Sequence, residues 1–391
     1  MNQEIWGYRK EKKMEFNLNE KQLEKQQFYR EFTEKEVKPI ACEMDETETF
    51  DLGLLKKLHD QGFMSIPYSG EYGGQGGDYI DYALAIEELA KVCASTAITV
   101  SVHTSLACSC VDNFGTPEQK DKWLRPMLEG GKTGCFGLTE PGAGSDAAGQ
   151  KTEAIPDGDN YIINGSKIYT TNAEFADTII LFAMTNKELG TKGISAFVID
   201  AKTPGVKIGL DIPRMGIKGA SNCEVFYENV VIPKENLLGE EGKGFKLAMM
   251  ALDAGRIGVA AQALGIAQGA LDLAIAYVKE REQFGKPIVA FQNTQFKIAD
   301  LQTKIDAARL LVYRAAAAKS NHEPFGSHAA MAKLFASGVA NDVTREAVQM
   351  HGGYGYAKKY IVERMMRDAK ITEIYEGTSE IQKMVIFGSM K

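Results

Sequence analysis

Tyr161-Ile-Ile-Asn-Gly-Ser-Lys-Ile-Tyr169 interrupts a chain otherwise written in helical period. Two β-rich runs flank Asn164-Gly165, and Asn-Gly between such runs is the strongest short-range hairpin signal. Residues 178–184, 194–199 and 224–231 read as further strands, separated by Gly and Asp turns. Residues 133–240 are therefore expected to form a small β domain, a barrel or a sandwich.

The flanks keep the helical period. Asn19 with Gln22 three residues on makes a capping box, Phe28 and Phe32 share a face at i,i+4, and Pro39 ends the pattern. Helices are expected at 54–61 and 79–92, with a glycine-rich loop from Gly70 to Gly77 between them. Residues 95–113 are small and apolar, which predicts a fully buried helix, and Pro117 opens a short one ending near Gly130. Beyond Gly242, Ile257, Ala261, Leu264, Ala267, Leu271, Ala274 and Val278 form the stripe of a long helix. Comparable stretches cover 292–320, 325–350 and 379–388. The expected fold is α+β and multidomain: a helical domain over 14–132, the β domain over 133–240 and a four-helix bundle over 241–391. Residues 1–13 read as an extension ahead of Met14, which begins MEFNLNEKQ.

Composition narrows the function. The hydrophobic fraction of 44% and charged fraction of 25% exclude a disordered or collagen-like chain. Lys+Arg of 45 against Asp+Glu of 52 leaves a net charge of −7, and with no long basic run the chain is not expected to bind nucleic acid. No run approaching the ~18 apolar residues of a membrane span is read in the sequence. MNQEIWGYRKEKK lacks the apolar segment of a signal peptide, so a cytoplasmic protein is expected. Cys108 and Cys110 sit in an apolar stretch without a second cluster, which predicts reduced, buried thiols. His59, His103, His322, His328 and His351 have no metal-ligand spacing, so no metal is expected. There is no G-x-G-x-x-G after a strand, no P-loop and no G-x-S-x-G elbow.

Four segments carry chemistry. Leu138-Thr-Glu-Pro-Gly-Ala-Gly-Ser-Asp146 can bring free backbone N–H groups close to a planar ring or an anion, because Gly lacks a Cβ; read alone, it is equally an ordinary turn. Arg281-Glu-Gln-Phe-Gly-Lys-Pro287 and Gln349-Met-His-Gly-Gly-Tyr-Gly-Tyr356 are the second and third. The fourth runs from Arg367 to Gln382 and contains Ile374-Tyr-Glu-Gly-Thr-Ser-Glu-Ile381. Its Glu376 lies in an apolar, glycine-flanked setting before a helix start. A carboxylate desolvated there would have a raised pKa and could act as a base; the same residue read alone is also a helix-capping acid.

Together these segments, in this order and at this spacing, resemble the acyl-CoA dehydrogenase family from about Phe16 to the C-terminus, with the greatest similarity to its short-chain, butyryl-CoA members. That family has an N-terminal helical domain, a middle β domain and a C-terminal four-helix bundle, in agreement with the period changes. The resemblance implies FAD as cofactor. It places Phe136, Leu138, Thr139, Gly144 and Ser145 at the flavin, with Ser145 also near the CoA pantetheine. Tyr169, where relatives more often have Trp, and Thr171 lie against the isoalloxazine. Arg281, Phe284 and Gln292 match a segment that reaches the FAD of a neighbouring subunit. Gln349, Gly352 and Gly353 match a loop at the FAD diphosphate, and Thr378 and Glu380 complete the site. Asp253 and Arg256 match the CoA-binding turn, and Tyr375 and Gly377 sit at the acyl group. Glu376 matches the catalytic base. Some relatives carry that base on the long helix, where this chain has Gly255. A second departure is Ile361, usually Pro.

The resemblance further implies α,β-dehydrogenation of an acyl-CoA thioester. Glu376 takes the α-proton, the β-hydrogen leaves as hydride to the flavin, and the thioester carbonyl accepts hydrogen bonds from the Glu376 N–H and a flavin ribityl hydroxyl. Electrons pass to an electron-transfer flavoprotein, and the assembly is a homotetramer. Cys93-Ala-Ser-Thr-Ala-Ile98 and Ser101-Val-His-Thr-Ser105 resemble short-chain members at the acyl pocket, implying a preference for C4. The sequence leaves open a short branched-chain substrate, an oxidase using O₂, a non-enzymatic flavin scaffold, and operation as an enoyl-CoA reductase.

Overall fold

A computed structural model describes residues 17–391; the proposed extension and start at Met14 lie outside the described residues. The N-terminal region contains α1 (Glu20–Phe32), α2 (Ala41–Thr47), α3 (Leu52–Asp60), α4 (Tyr79–Ala90), α5 (Ala94–Ser101), α6 (Ser109–Phe114), α7 (Pro117–Gln119) and α8 (Arg125–Leu128). The Asn19–Gln22 capping box is present at the start of α1. Phe28 and Phe32 share a face: both meet Phe63, with ring centroids 6.0 and 4.5 Å away.

Residues 94–114 are one apolar rod. It widens into π-helical turns at Val102–Cys108 between α5 and α6. Such turns occur often at functional sites, and here Val102 and Leu106 face a cavity.

The middle region holds β1 (Gly134–Gly137), β2 (Glu153–Asp157), β3 (Asn160–Thr171), β4 (Thr178–Met184), β5 (Ile194–Asp200), β6 (Val206–Asp211), β7 (Asn222–Pro233) and β8 (Leu237–Leu238). They pair in the order β6-β7-β3-β2-β4-β5-β8, and β1 lies parallel to β4. The sheet doubles over its own core: Tyr161 on β3 meets Phe197 on β5 with ring centroids 5.0 Å apart.

The expected hairpin at Asn164-Gly165 is not there. β3 runs straight through it, and the hairpin turn is Gly158-Asp159, between β2 and β3. Gly165 instead makes a bulge. The pairing of β3 with β7 slips between Ile163 and Gly165. Gly165 takes φ +146°, and a Cβ there would lie 2.5 Å from Thr152 Oγ1. Asn164 serves the partner strand, its Oδ1 accepting from the Asn229 N–H at 2.8 Å. A strand bulge and a tight turn need the same left-handed permissiveness, so the dipeptide alone does not separate them.

The C-terminal region is helical: α9 (Gly244–Glu280), α10 (Gln292–Ser320), α11 (Gly326–His351), α12 (Val362–Ile371) and α13 (Ser379–Gly388). The apolar stripe of α9 is buried from Ile257 to Val278. The absence of any span-like run is corrected by the structure. Residues 94–114 and 244–280 are both long and apolar enough to cross a membrane. Both are instead packed as core helices, the first buried from Ala94 to Val111.

Candidate active site

The turn between α12 and α13 carries Glu376. Glu376 and Gly377 are consecutive left-handed residues, φ +53° and +94°. Glu376 does not cap a helix; Thr378 is the N-cap of α13, its hydroxyl accepting from the Ile381 N–H at 3.4 Å. Freed of that role, the carboxyl of Glu376 enters a cavity of about 550 Å³. Both its oxygens are buried, and neither meets a hydrogen-bond donor among the described residues. Burial pushes its pKa up to about 7, against the pull of the Lys333 and Arg256 charges. α9 passes beneath the carboxylate at Gly255, where a Cβ would stand 2.1 Å from Oε2. The sequence therefore places the buried carboxylate and the space it needs on different elements.

The opposite wall comes from the β domain. Phe136, Leu138, Thr139, Gly144, Ser145, Tyr169 and Thr171 line it, facing Arg256, Tyr375, Gly377 and Thr378 across the same hollow. Tyr169 reaches the rim through a second slip of β3, between Lys167 and Thr170, with φ +57° and its ring more than half exposed. The loop from Leu138 is stapled by buried Lys167. Its Nζ donates to Leu138 O at 3.1 Å, Glu140 Oε1 at 2.8 Å and Gln150 Oε1 at 2.9 Å. Burial pulls the Lys167 pKa down to about 8, against the opposing charge of Glu140.

A second cavity, of about 670 Å³, is lined by Arg281, Gln349, Gly352 and Gly353, together with Tyr277, His351 and Tyr354. Tyr277 stacks on His351 at 4.2 Å, and the Arg281 guanidinium lies 5.5 Å from the Tyr354 ring. Phe284, Gln292, Glu380 and Asp253 fall outside both linings. Phe284 is 93% exposed, Gln292 opens α10 and Glu380 lies in the first turn of α13. Asp253 pairs with Arg256 one helical turn on.

Four wall residues lie outside every segment singled out from the sequence, Ile217, Asn222, Met249 and Leu252, and Ile371, Ile374 and Ile381 lie within the fourth segment without having been assigned to the site. They are ordinary in type, so only the fold reveals them. The sequence reading also missed Lys333, for which a signal existed: a lone lysine inside the apolar face Ala329, Ala332, Ala336 and Ala340 of α11.

An aromatic, glycine-lined hollow beside a desolvated carboxylate suits a planar cofactor with a substrate laid against it. A Cβ at Gly144 would meet nothing within 4 Å, so the loop leaves room for such a group beside its backbone. The N-terminal, middle and C-terminal domains of acyl-CoA dehydrogenases match residues 19–131, 135–230 and 242–390. The chain belongs to the acyl-CoA dehydrogenase family, and by class it is an oxidoreductase, an acyl-CoA dehydrogenase.

Among particular relatives, it is 54% identical to a short-chain specific acyl-CoA dehydrogenase of Clostridium acetobutylicum, over 96% of this chain and 100% of the relative. The butyryl-CoA dehydrogenase structure from Megasphaera elsdenii superposes with a TM-score of 0.95 at 50% identity, covering 96% of this chain and all of that one. A chain in a structure described as the electron transferring flavoprotein of Acidaminococcus fermentans matches with a TM-score of 0.95 at 51% identity, covering 96% of this chain and 99% of that one.

Proposed function

We infer that this chain is a FAD-dependent short-chain acyl-CoA dehydrogenase that interconverts butyryl-CoA and crotonyl-CoA and exchanges electrons with an electron-transfer flavoprotein. Its domains are 14–132, 133–240 and 241–391, and it works as a cytoplasmic homotetramer that neither spans a membrane nor binds nucleic acid. The observation that carries the reading is Glu376: a carboxylate with no donor, raised to about 7 by burial, at the wall of an apolar hollow. An ordinary carboxylate is too weak a base for the α-proton of a thioester. Desolvation strengthens it, and a hydrogen bond to the thioester carbonyl acidifies the proton.

The family resemblance assigns the roles, and the two cavity linings support it for every residue but Asp253, Phe284, Gln292 and Glu380. Glu376 takes the α-proton, and the N–H of the same residue donates to the thioester carbonyl. Arg256, Asp253, Ser145, Tyr375 and Gly377 hold the substrate. Phe136, Leu138, Thr139, Gly144, Tyr169, Thr171 and Thr378 hold the flavin ring. Arg281, Phe284, Gln292, Gln349, Gly352, Gly353 and Glu380 serve the rest of FAD, the first three reaching that of a neighbouring subunit. FAD, when bound, supplies the two-electron acceptor.

A chain-length series of acyl-CoA thioesters, read anaerobically by flavin bleaching, tests this reading. Each methylene left unburied forfeits about 0.8 kcal/mol. C4 is expected to be preferred, C5 and C6 weaker, and C12 negligible. A maximum at C8 or beyond overturns the short-chain assignment.

A further inference from the structure

We propose that Lys333 is a positioning residue of the catalytic turn: from α11 it grips the Gly377 carbonyl and fixes the left-handed pair that aims Glu376 into the cavity. The inference rests on Glu376 being the base. Lys333 is fully buried. Its Nζ donates to Gly377 O at 2.6 Å. Gln382 Nε2, from α13, donates to the same oxygen at 2.7 Å and to Glu376 O at 3.2 Å. Two elements, α11 through Lys333 and α13 through Gln382, thus hold the turn's carbonyls. That is the geometry needed to keep a non-glycine residue at φ +53°, a conformation that costs free energy unless its surroundings enforce it.

A buried lysine is an expensive choice for this task. A neutral side chain could also donate to a carbonyl, without the cost of burying a charge. What the amine adds is a positive charge behind Glu376. The charged groups around the pair are Arg256 from α9, itself close to Glu376 O at 3.5 Å, and Glu373 and Glu380 flanking the turn. Burial pulls Lys333 down to about 8, opposed by Glu376. It therefore keeps its charge around neutrality and restrains the rise that burial imposes on Glu376. Lys333 so sets both the aim of the base and the pH at which it becomes competent.

The two contributions separate by substitution. Lys333→Gln keeps a donor and removes the charge; Lys333→Met removes both. The readout is the single-turnover rate of flavin reduction by butyryl-CoA as a function of pH, on holoenzyme matched for flavin content. Removing a positive charge disfavours the carboxylate, so the rising limb should move to higher pH in both variants, by about one unit. Lys333→Met should also lose about ten- to a hundredfold in limiting rate, the scale of a base displaced by roughly an ångström. If the methionine variant does not retain flavin, the glutamine variant decides. A wild-type limb in Lys333→Gln overturns the proposal, as does loss of flavin in both variants, which would make Lys333 a scaffold residue. Glu376→Gln runs alongside: if it reduces flavin normally, the assignment of the base has failed, and that outcome is separate from any result at Lys333.

Discussion

The cavity at Glu376 and the cavity at Arg281 are built on opposite plans. The first is walled by three parts of one chain: the β-domain rim, the rod at 94–114 with α9, and the turn after α12. Its key group is desolvated and lacks a polar partner. The second is a shelf of aromatic and amide groups at the end of α11, and Phe284 nearby stands 93% exposed. A closed, apolar site can alter the basicity of a carboxylate. An open, polar one can hold a ligand without altering its chemistry. Changes in the first cavity should therefore act on the rate of the reaction, and changes in the second on retention of the cofactor.

The sharpest separation comes from Glu376→Gln. It keeps the shape and one acceptor while removing the base. Loss of a general base costs about 10²–10⁴-fold, so bleaching by butyryl-CoA should slow at least that much with flavin content unchanged. Reduction at the wild-type rate in single-turnover kinetics would move the base elsewhere. Gly255→Ala should come next. Its methyl would sit 2.1 Å from Glu376 Oε2 and 2.9 Å from Leu106 Cδ2. The carboxylate must move, and about a hundredfold loss of rate is the scale for such displacement. Flavin content should again be unchanged. Because the Glu376 side chain fills the space beside Gly255, Gly255→Glu combined with Glu376→Gly exchanges the two positions and should return a small part of the activity.

Arg281→Ala probes the other side. Flavin should be lost on gel filtration, or its Kd should rise about tenfold, the scale of one hydrogen bond to a charged group. The reduction rate of enzyme saturated with FAD should stay close to wild type. A large fall in that rate with full flavin occupancy would abolish the distinction between the two cavities.

What the sequence disclosed follows the same division. Strand 178–184 and helix 292–320 were legible to the residue, because their patterns are uninterrupted, although Phe291 at the helix N-cap gives no side-chain cap. Glu376 stood out as an acid in an apolar, glycine-flanked setting, but the residues alone left it a helix-capping acid as readily as a base, and the family resemblance chose between them. Asn164-Gly165 misled because a bulge and a turn share one backbone requirement. β6 was not seen: Val206–Asp211 is half-exposed and has no clean alternation. Phe136 and Glu376 are brought together by domain packing, and neither periodicity nor propensity reports that distance. Without the family resemblance, the site would have read as four unconnected segments.

The smallest expected effect concerns the seam behind the first cavity. His103 is fully buried in the rod at 94–114. Its Nδ1 accepts from the Gly134 N–H at 3.0 Å, at the start of β1, the strand that leads to Phe136 and Leu138. Its Nε2 faces Cys108 Sγ at 3.3 Å. Protonation would cost Gly134 its acceptor and bury a charge close to His59. Burial, with a smaller contribution from His59, holds the His103 pKa down to about 3, against an ordinary value of 6.5. The unfolded chain then binds a proton that the folded chain refuses. The stability this group supports is complete above pH 6.5 and is lost progressively as pH falls toward 3, by at most about 1.4 kcal/mol per pH unit. Glu376 acts in the opposite sense: its raised pKa favours folding below 4.5, and that contribution disappears as pH rises through about 7. The difference between wild type and His103→Gln removes the shared Glu376 term. Urea midpoints measured from pH 7 down to 5 should fall more steeply for the wild type. Parallel curves would mean that His103 does not link the rod to the β domain through a neutral imidazole.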